Sequence, residues 1–169
     1  MKLTEFFLAE LEREAAPTRR VVEQVPEGHF DWKPHEKSMA FGYLANLVAS
    51  MPSWITMMIN EDSLDLNPPG GGEYKSPALR SGAELAEAVD GSVAGAREAL
   101  QKTTDEHLLT TSWRLLVAGH VVSEELRHVF IQDTFNHLAH HRGQLTVYLR
   151  LLGAKVPSVY GPSADDKVF

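Results

Sequence analysis

The segment Asn136-His137-Leu138-Ala139-His140-His141-Arg142-Gly143-Gln144 sets two imidazoles one helical turn apart. An α-helix advances about 100° per residue, so positions i and i+4 lie about 40° apart and about 6 Å along the axis. One ion can therefore be gripped by both His137 and His141. His140 lies about 60° from His137 in the other direction and about 100° from His141, and cannot easily join the same ion. The same stripe carries Asp133, Gln144 and Tyr148, with Phe130 and Leu145 beside it, so a polar ladder runs along an apolar face. A buried imidazole must have its nitrogens satisfied: metal ligation at one with a hydrogen bond at the other is one solution, and ordinary core hydrogen bonding is another. Asp133 is spaced to orient His137. At eight residues, about 12 Å, from His141 it cannot reach the same ion, so a third ligand must come from another helix. Gln144 and Tyr148 can orient a ligand or serve as core hydrogen-bonding groups. Arg142 is read as pairing with a carboxylate on the flank, and Gly143 as permitting close helix packing.

These residues need a long helix to carry them. Ser123 is a cap candidate, with Glu124 and Glu125 favouring the positive end, and Gly153 and Pro157 close the segment, which predicts a helix from Ser123 to about Leu152. Three further amphipathic stretches precede it. Phe7, Leu8, Leu11, Ala15, Val21, Val22 and Val25 recur at helical spacing from about Thr4 to about Val25, with Pro17 expected to kink or split the helix. Phe41, Leu44, Leu47, Val48, Met51, Ile55 and Met58 form an apolar face from about Ala40 to Glu61, where Pro52 is a candidate bend. Ser81-Gly82-Ala83-Glu84 has capping-box spacing and opens a helix to about Lys102. Asn67-Pro68-Pro69-Gly70-Gly71-Gly72 starts a polar loop that continues through Pro77, and Asp105 to Val122 reads as a connector, hairpin-like or helical. The expected architecture is all-α, one domain over residues 1–169: a four-helix bundle with a short irregular or hairpin-like excursion before the last long helix, its sites built from inward-facing side chains.

Composition narrows the chemistry. The 169 residues suffice for a core without staples, and the absence of cysteine rules out disulfides, thiolate metal sites and a cysteine nucleophile. Any metal must be held by nitrogen and oxygen. A net charge of −7 without a basic run argues against nucleic acid as a partner. No stretch approaches a membrane span and the N-terminus has no apolar signal core, so the expectation is a soluble cytoplasmic protein acting on a small molecule.

His137-x-x-x-His141-Arg142-Gly143-Gln144, then Tyr148-Leu149-Arg150-Leu151-Leu152-Gly153 and Val156-Pro157-Ser158-Val159-Tyr160-Gly161-Pro162, resemble the closing signature of the DinB-like (DinB/YfiT) family, regarded as metalloenzymes. Trp32-Lys33-Pro34-His35-Glu36-Lys37-Ser38-Met39 and the order of segments resemble it too, over essentially the whole chain. The resemblance implies a four-helix bundle, often a homodimer, with a divalent metal (zinc, nickel or iron) on three histidines. Two match His137 and His141; the third would fall at position 47, where this chain has Leu47, and Asn46 points about 100° away. Relatives include thiol-dependent transferases and an isomerase, in which the metal activates a low-molecular-weight thiol cosubstrate. Three readings follow: a metal-dependent enzyme with an incomplete site, a non-catalytic bundle that binds a small molecule or protein after losing the metal, and a stress-response structural dimer.

Overall fold

The computed structural model describes residues 1–71 and 78–167; the stretch from Gly72 through Pro77 of the expected polar loop lies outside them. Among the described residues six helices and three strands follow in the order α1 (Leu3–Glu23), α2 (Phe41–Ser50), α3 (Pro52–Asn60), β1 (Ser63–Asp65), α4 (Gly82–Lys102), α5 (Asp105–Thr110), β2 (Ser112–Val117), β3 (His120–Leu126) and α6 (Arg127–Leu151). The all-α four-helix expectation is thereby corrected to a mixed α/β architecture. The strands form one sheet in the order β1-β2-β3, with β1 parallel and β3 antiparallel to β2.

The helix boundaries have local causes. Pro17 is buried within α1, which runs through it unbroken as one element. Pro52 does divide the second apolar segment: lacking an N–H, it occupies the first turn of α3, where that group would have no partner in any case. Ser81 caps α4 by accepting from the Glu84 amide at 3.2 Å, while Glu84 accepts from the Arg80 amide at 2.9 Å. Asp105, at the start of α5, accepts from the Leu3 and Thr4 amides at 2.9 Å and so caps α1 from a distant element. At the end of α6, Gly153 takes φ +74°, and the Gly153 and Ala154 amides donate to the Arg150 and Leu149 carbonyls, the paired bonds of a Schellman stop.

The expected Ser123 cap is overturned by strand pairing. Ser123 faces Leu115 in the β2–β3 register, and Glu124 sits opposite Arg114, where unlike charges favour the ladder. The hairpin turns at Ala118 and Gly119, both at positive φ (+51° and +80°), and the Gly119 amide donates to Asp65 at 2.7 Å, tying the turn to the end of β1. α6 then begins at Arg127, whose guanidinium is buried and donates to the carbonyls of Met58 and Glu61 and to Asp62. A cation thus closes the carbonyl end of α3 and fastens it to the start of α6.

α4 packs against α1, α2 and α3, and α6 against α2 and α3. At one crossing the fit is close: a Cβ at Gly82 would lie 2.6 Å from the Glu23 carbonyl oxygen. α6 is also fixed to α1 by an ion pair in the core. Arg142 (1% exposed) donates to Glu14 (4%) at 2.6 Å, to the Thr18 hydroxyl at 2.8 Å and to Tyr160 at 2.5 Å, while the Tyr160 hydroxyl donates to Glu14 at 2.9 Å. Arg142 is therefore interior, not on the flank. A Cβ added at Gly143 would meet nothing within 4 Å, so Gly143 makes no close helix packing.

Removing one partner of such a pair strands a buried charge. Glu14→Ala is expected to lower stability by about 3–5 kcal/mol, while Glu14→Leu combined with Arg142→Met loses much less; urea denaturation reads both, and equal losses would refute the account. Ala118→Asn is expected to gain about 0.5–1 kcal/mol in the same measurement, because asparagine tolerates the left-handed turn better than alanine; a destabilised variant would show that the turn is not what limits it.

Candidate metal centre and apolar cavity

α6 turns His137 and His141 toward one point. Their Nε2 atoms lie 2.9 Å apart and the ring centroids 4.6 Å apart. His141 is buried, and its Nδ1–H donates to the Gln144 side-chain oxygen at 2.7 Å. In the neutral ring that bond places the lone pair on Nε2, so the hydrogen bond between the two imidazoles runs from His137 Nε2–H to His141 Nε2. Trp54 of α3 meets His137 edge-on at 5.5 Å between centroids. Burial, then the neighbouring His141 and His140, push the His137 pKa below its usual value, against a weaker upward pull from Asp133. The net direction favours the neutral ring at His137.

Both rings open on a cavity of about 560 Å³. Asp133 and Thr134 line it from α6, one turn before the histidines. Leu47 and Tyr43 come from α2, Trp54, Met57 and Met58 from α3. The sheet closes the far side with Leu64 of β1 and Trp113 and Leu115 of β2. Trp113 is nearly inaccessible and meets Phe130 edge-on at 4.9 Å.

Two imidazoles about 2.0–2.1 Å from one tetrahedral metal have nitrogens about 3.3–3.4 Å apart, so the hydrogen-bonded pair would have to open by a few tenths of an ångström to take an ion. The Gln144 bond is the kind of outer partner that fixes a ligand's tautomer. Position 47 does not fit: Leu47 faces the same cavity with a side chain that offers no electrons. Among the described residues no group of three His, Asp or Glu is placed to hold a metal. Among the described residues the cavity brings two imidazoles together, His137 and His141.

The remaining candidates fall elsewhere. Tyr148 does not line the cavity; its hydroxyl donates to the Met39 carbonyl at 3.3 Å and its ring meets Trp32 edge-on. Asn46 is buried between α2 and the approach to α4, bonded to Gly42 and both backbone groups of Leu79. His107 and His128 bond to the carbonyls of Ile59 and Leu108, and His35 accepts from the Lys37 amide. Neither these nor His29, His120 or His140 lines the cavity. Sequence periodicity missed the sheet's contribution, because Leu64, Trp113 and Leu115 lie in short segments whose pairing is parallel on one side and antiparallel on the other. The alternation within Ser112-Trp113-Arg114-Leu115 was the available signal.

Comparison with known proteins agrees with this architecture. A DinB-like protein from Bacillus cereus superposes with a TM-score of 0.67 at 24% identity, covering 92% of this chain and 97% of that one. A DinB-like protein from Bacillus subtilis gives 0.64 at 17% identity over 95% and 99%, and a member of the DinB family from Exiguobacterium sibiricum gives 0.63 at 18% over 90% and 93%. These likenesses concern the fold. No curated protein matches the chain. The sequence model of the DinB family matches residues 1–167, and the chain belongs to that family.

Proposed function

We propose that this DinB family member is a divalent-metal-dependent enzyme acting on a small molecule, with His137 and His141 as the protein's ligands. What supports the reading is the convergence of the two Nε2 atoms, 2.9 Å apart, at the wall of a cavity large enough for a substrate. Gln144 holds His141 in the tautomer whose lone pair faces His137. For His137 to present a lone pair at Nε2 as well, its proton moves to Nδ1. The metal is zinc, nickel or iron, the ions suited to imidazole. When bound, such an ion supplies Lewis acidity that lowers the pKa of a coordinated thiol or water. In a thiol-dependent transfer the sulfur comes from a low-molecular-weight cosubstrate, since the chain has no cysteine.

Leu47 favours a second reading, in which the cavity binds a small molecule without metal. Metal analysis separates the two. Protein purified without a histidine tag is expected to bind one zinc at micromolar concentration, and His137→Ala and His141→Ala are each expected to lose it; no uptake by the unaltered protein would sink the metal reading. Leu47→His is expected to tighten zinc binding by about tenfold or more, because it adds a third imidazole from α2 at the cavity wall. Unchanged affinity would mean that another group already occupies that position. No described helix is long and apolar enough to cross a membrane.

A further inference from the structure

We infer that the cavity takes a small organic cation: a protonated amine at its mouth, beside Asp133, on an apolar body the size of one aromatic ring laid against its floor. The inference stands on the cavity walls and on Asp133, and needs no metal at the histidines.

The lining residues differ in depth. Asp133, His137, Tyr43, Met39 and Leu66 are exposed and form the mouth, whereas Met58, Trp113, Thr134 and His141 are buried and form the floor. The polar atoms of the floor are already used. Thr134 donates to the Phe130 carbonyl at 2.9 Å, and His141 is bonded at both ring nitrogens, to Gln144 and to His137. Trp113 Nε1 has no partner, but the atom has almost no accessible surface and so reads no group on a ligand. What a ligand meets at the floor is thioether and ring surface, flanked by Leu115 and Phe130. An apolar body gains there, while a charged group would give up its hydration with nothing to replace it. A volume of about 560 Å³ is within the range of sites that enclose small organic ligands.

The mouth sets the sign of the charge. The Tyr43 hydroxyl and the Trp54 indole N–H are neutral dipoles, and the hydroxyl can donate or accept. Asp133 carries a full charge. Among the described residues no lysine or arginine lines the cavity, and Asp133 forms no ion pair. The interior guanidiniums are committed elsewhere, Arg142 to Glu14 and Arg127 to Asp62. An ammonium beside Asp133 keeps part of its water and gains the attraction of an unpaired carboxylate. Aromatic surface stands in the same opening, since Trp54 meets His137 at 5.5 Å between centroids, one turn along α6 from Asp133. Such rings attract a cation through their electron-rich faces. A carboxylate in that place is repelled, and the chain's net charge of −7 acts in the same direction at longer range.

Phenethylamine, 2-phenylethanol and 3-phenylpropanoate place a cation, a neutral group and an anion on nearly one body. Each is titrated calorimetrically at neutral pH with a metal chelator present. The amine is expected to bind about fivefold tighter than the alcohol, an exposed carboxylate and exposed rings each contributing modestly, and the acid more weakly than the alcohol. Methylamine, which has the charge without the body, is expected to bind at least about tenfold more weakly than phenethylamine. Asp133→Asn is expected to bring the amine to the level of the alcohol and leave the alcohol unchanged, and Asp133→Lys to make the acid the tightest of the three. Leu115→Trp, and independently Met57→Trp, fill the cavity from the sheet and from α3. Each is expected to weaken amine and alcohol alike about tenfold while circular dichroism reports a folded protein. Equal affinity for amine and alcohol overturns the selection for a cation, and an amine preference that survives Asp133→Asn overturns the role of Asp133. Binding undiminished in both folded tryptophan variants overturns the cavity as the site, and failure of all three compounds to bind overturns the whole inference. The chelator keeps these outcomes separate from zinc uptake, which metal analysis reads by itself.

Discussion

The buried pair of Arg142 and Glu14 sets the rotation of α6 about its own axis. A helix seated only by apolar contacts can roll, because leucine, isoleucine and phenylalanine surfaces interchange at small cost. A guanidinium in the core cannot move away from its carboxylate without stranding both charges. Position 142 is about 100° from position 141, so anchoring Arg142 on α1 turns His141 toward α2 and α3. The pair is shielded and completed by Thr18 and Tyr160, which makes the last described segment of the chain part of the same lock. The opposite end of α6 is held by a second interior arginine, Arg127, at the carbonyl end of α3. Between these two anchors lie His137 and His141.

The small sheet changes what the histidines face. In a bundle of helices alone the space beside α6 would be filled by another helix face. Here Asp105 to Leu126 forms a short helix and a hairpin, and the hairpin's first strand pairs with β1 immediately after α3. Leu64 and Leu115, directly paired in that ladder, become the far wall of the cavity. The result is a site with its ionisable histidines and Asp133 on one helix and mostly apolar and aromatic side chains from the other elements. His141 is buried in the α6 wall while His137 stands at its exposed side.

Much of the helical framework was legible from residue order. The apolar periodicities located α1, the region of α2 and α3, α4 and most of α6, and the Ser81 cap and the Gly153 stop were readable because both act through their own neighbours. Ser123 was misleading because its local capping preference was outweighed by a distant contact, pairing with Leu115, and Pro17, buried in α1, does not split that helix. Arg142 showed its charge but not its depth, since nothing in the sequence near it names Glu14, 128 residues away.

Helix periodicity by itself determined that His137 and His141 share a face, and the residue at position 47 determined that the protein brings no third imidazole from α2. Those are properties of 3.6 residues per turn and of side-chain chemistry, and they need no knowledge of neighbours. That the two Nε2 atoms converge at 2.9 Å, that Gln144 and not Tyr148 supports them, and that Leu47 shares their cavity were decided by the tertiary structure. Each depends on how α6 is rolled and on what the sheet places opposite it, and both are set by contacts between residues far apart in the chain.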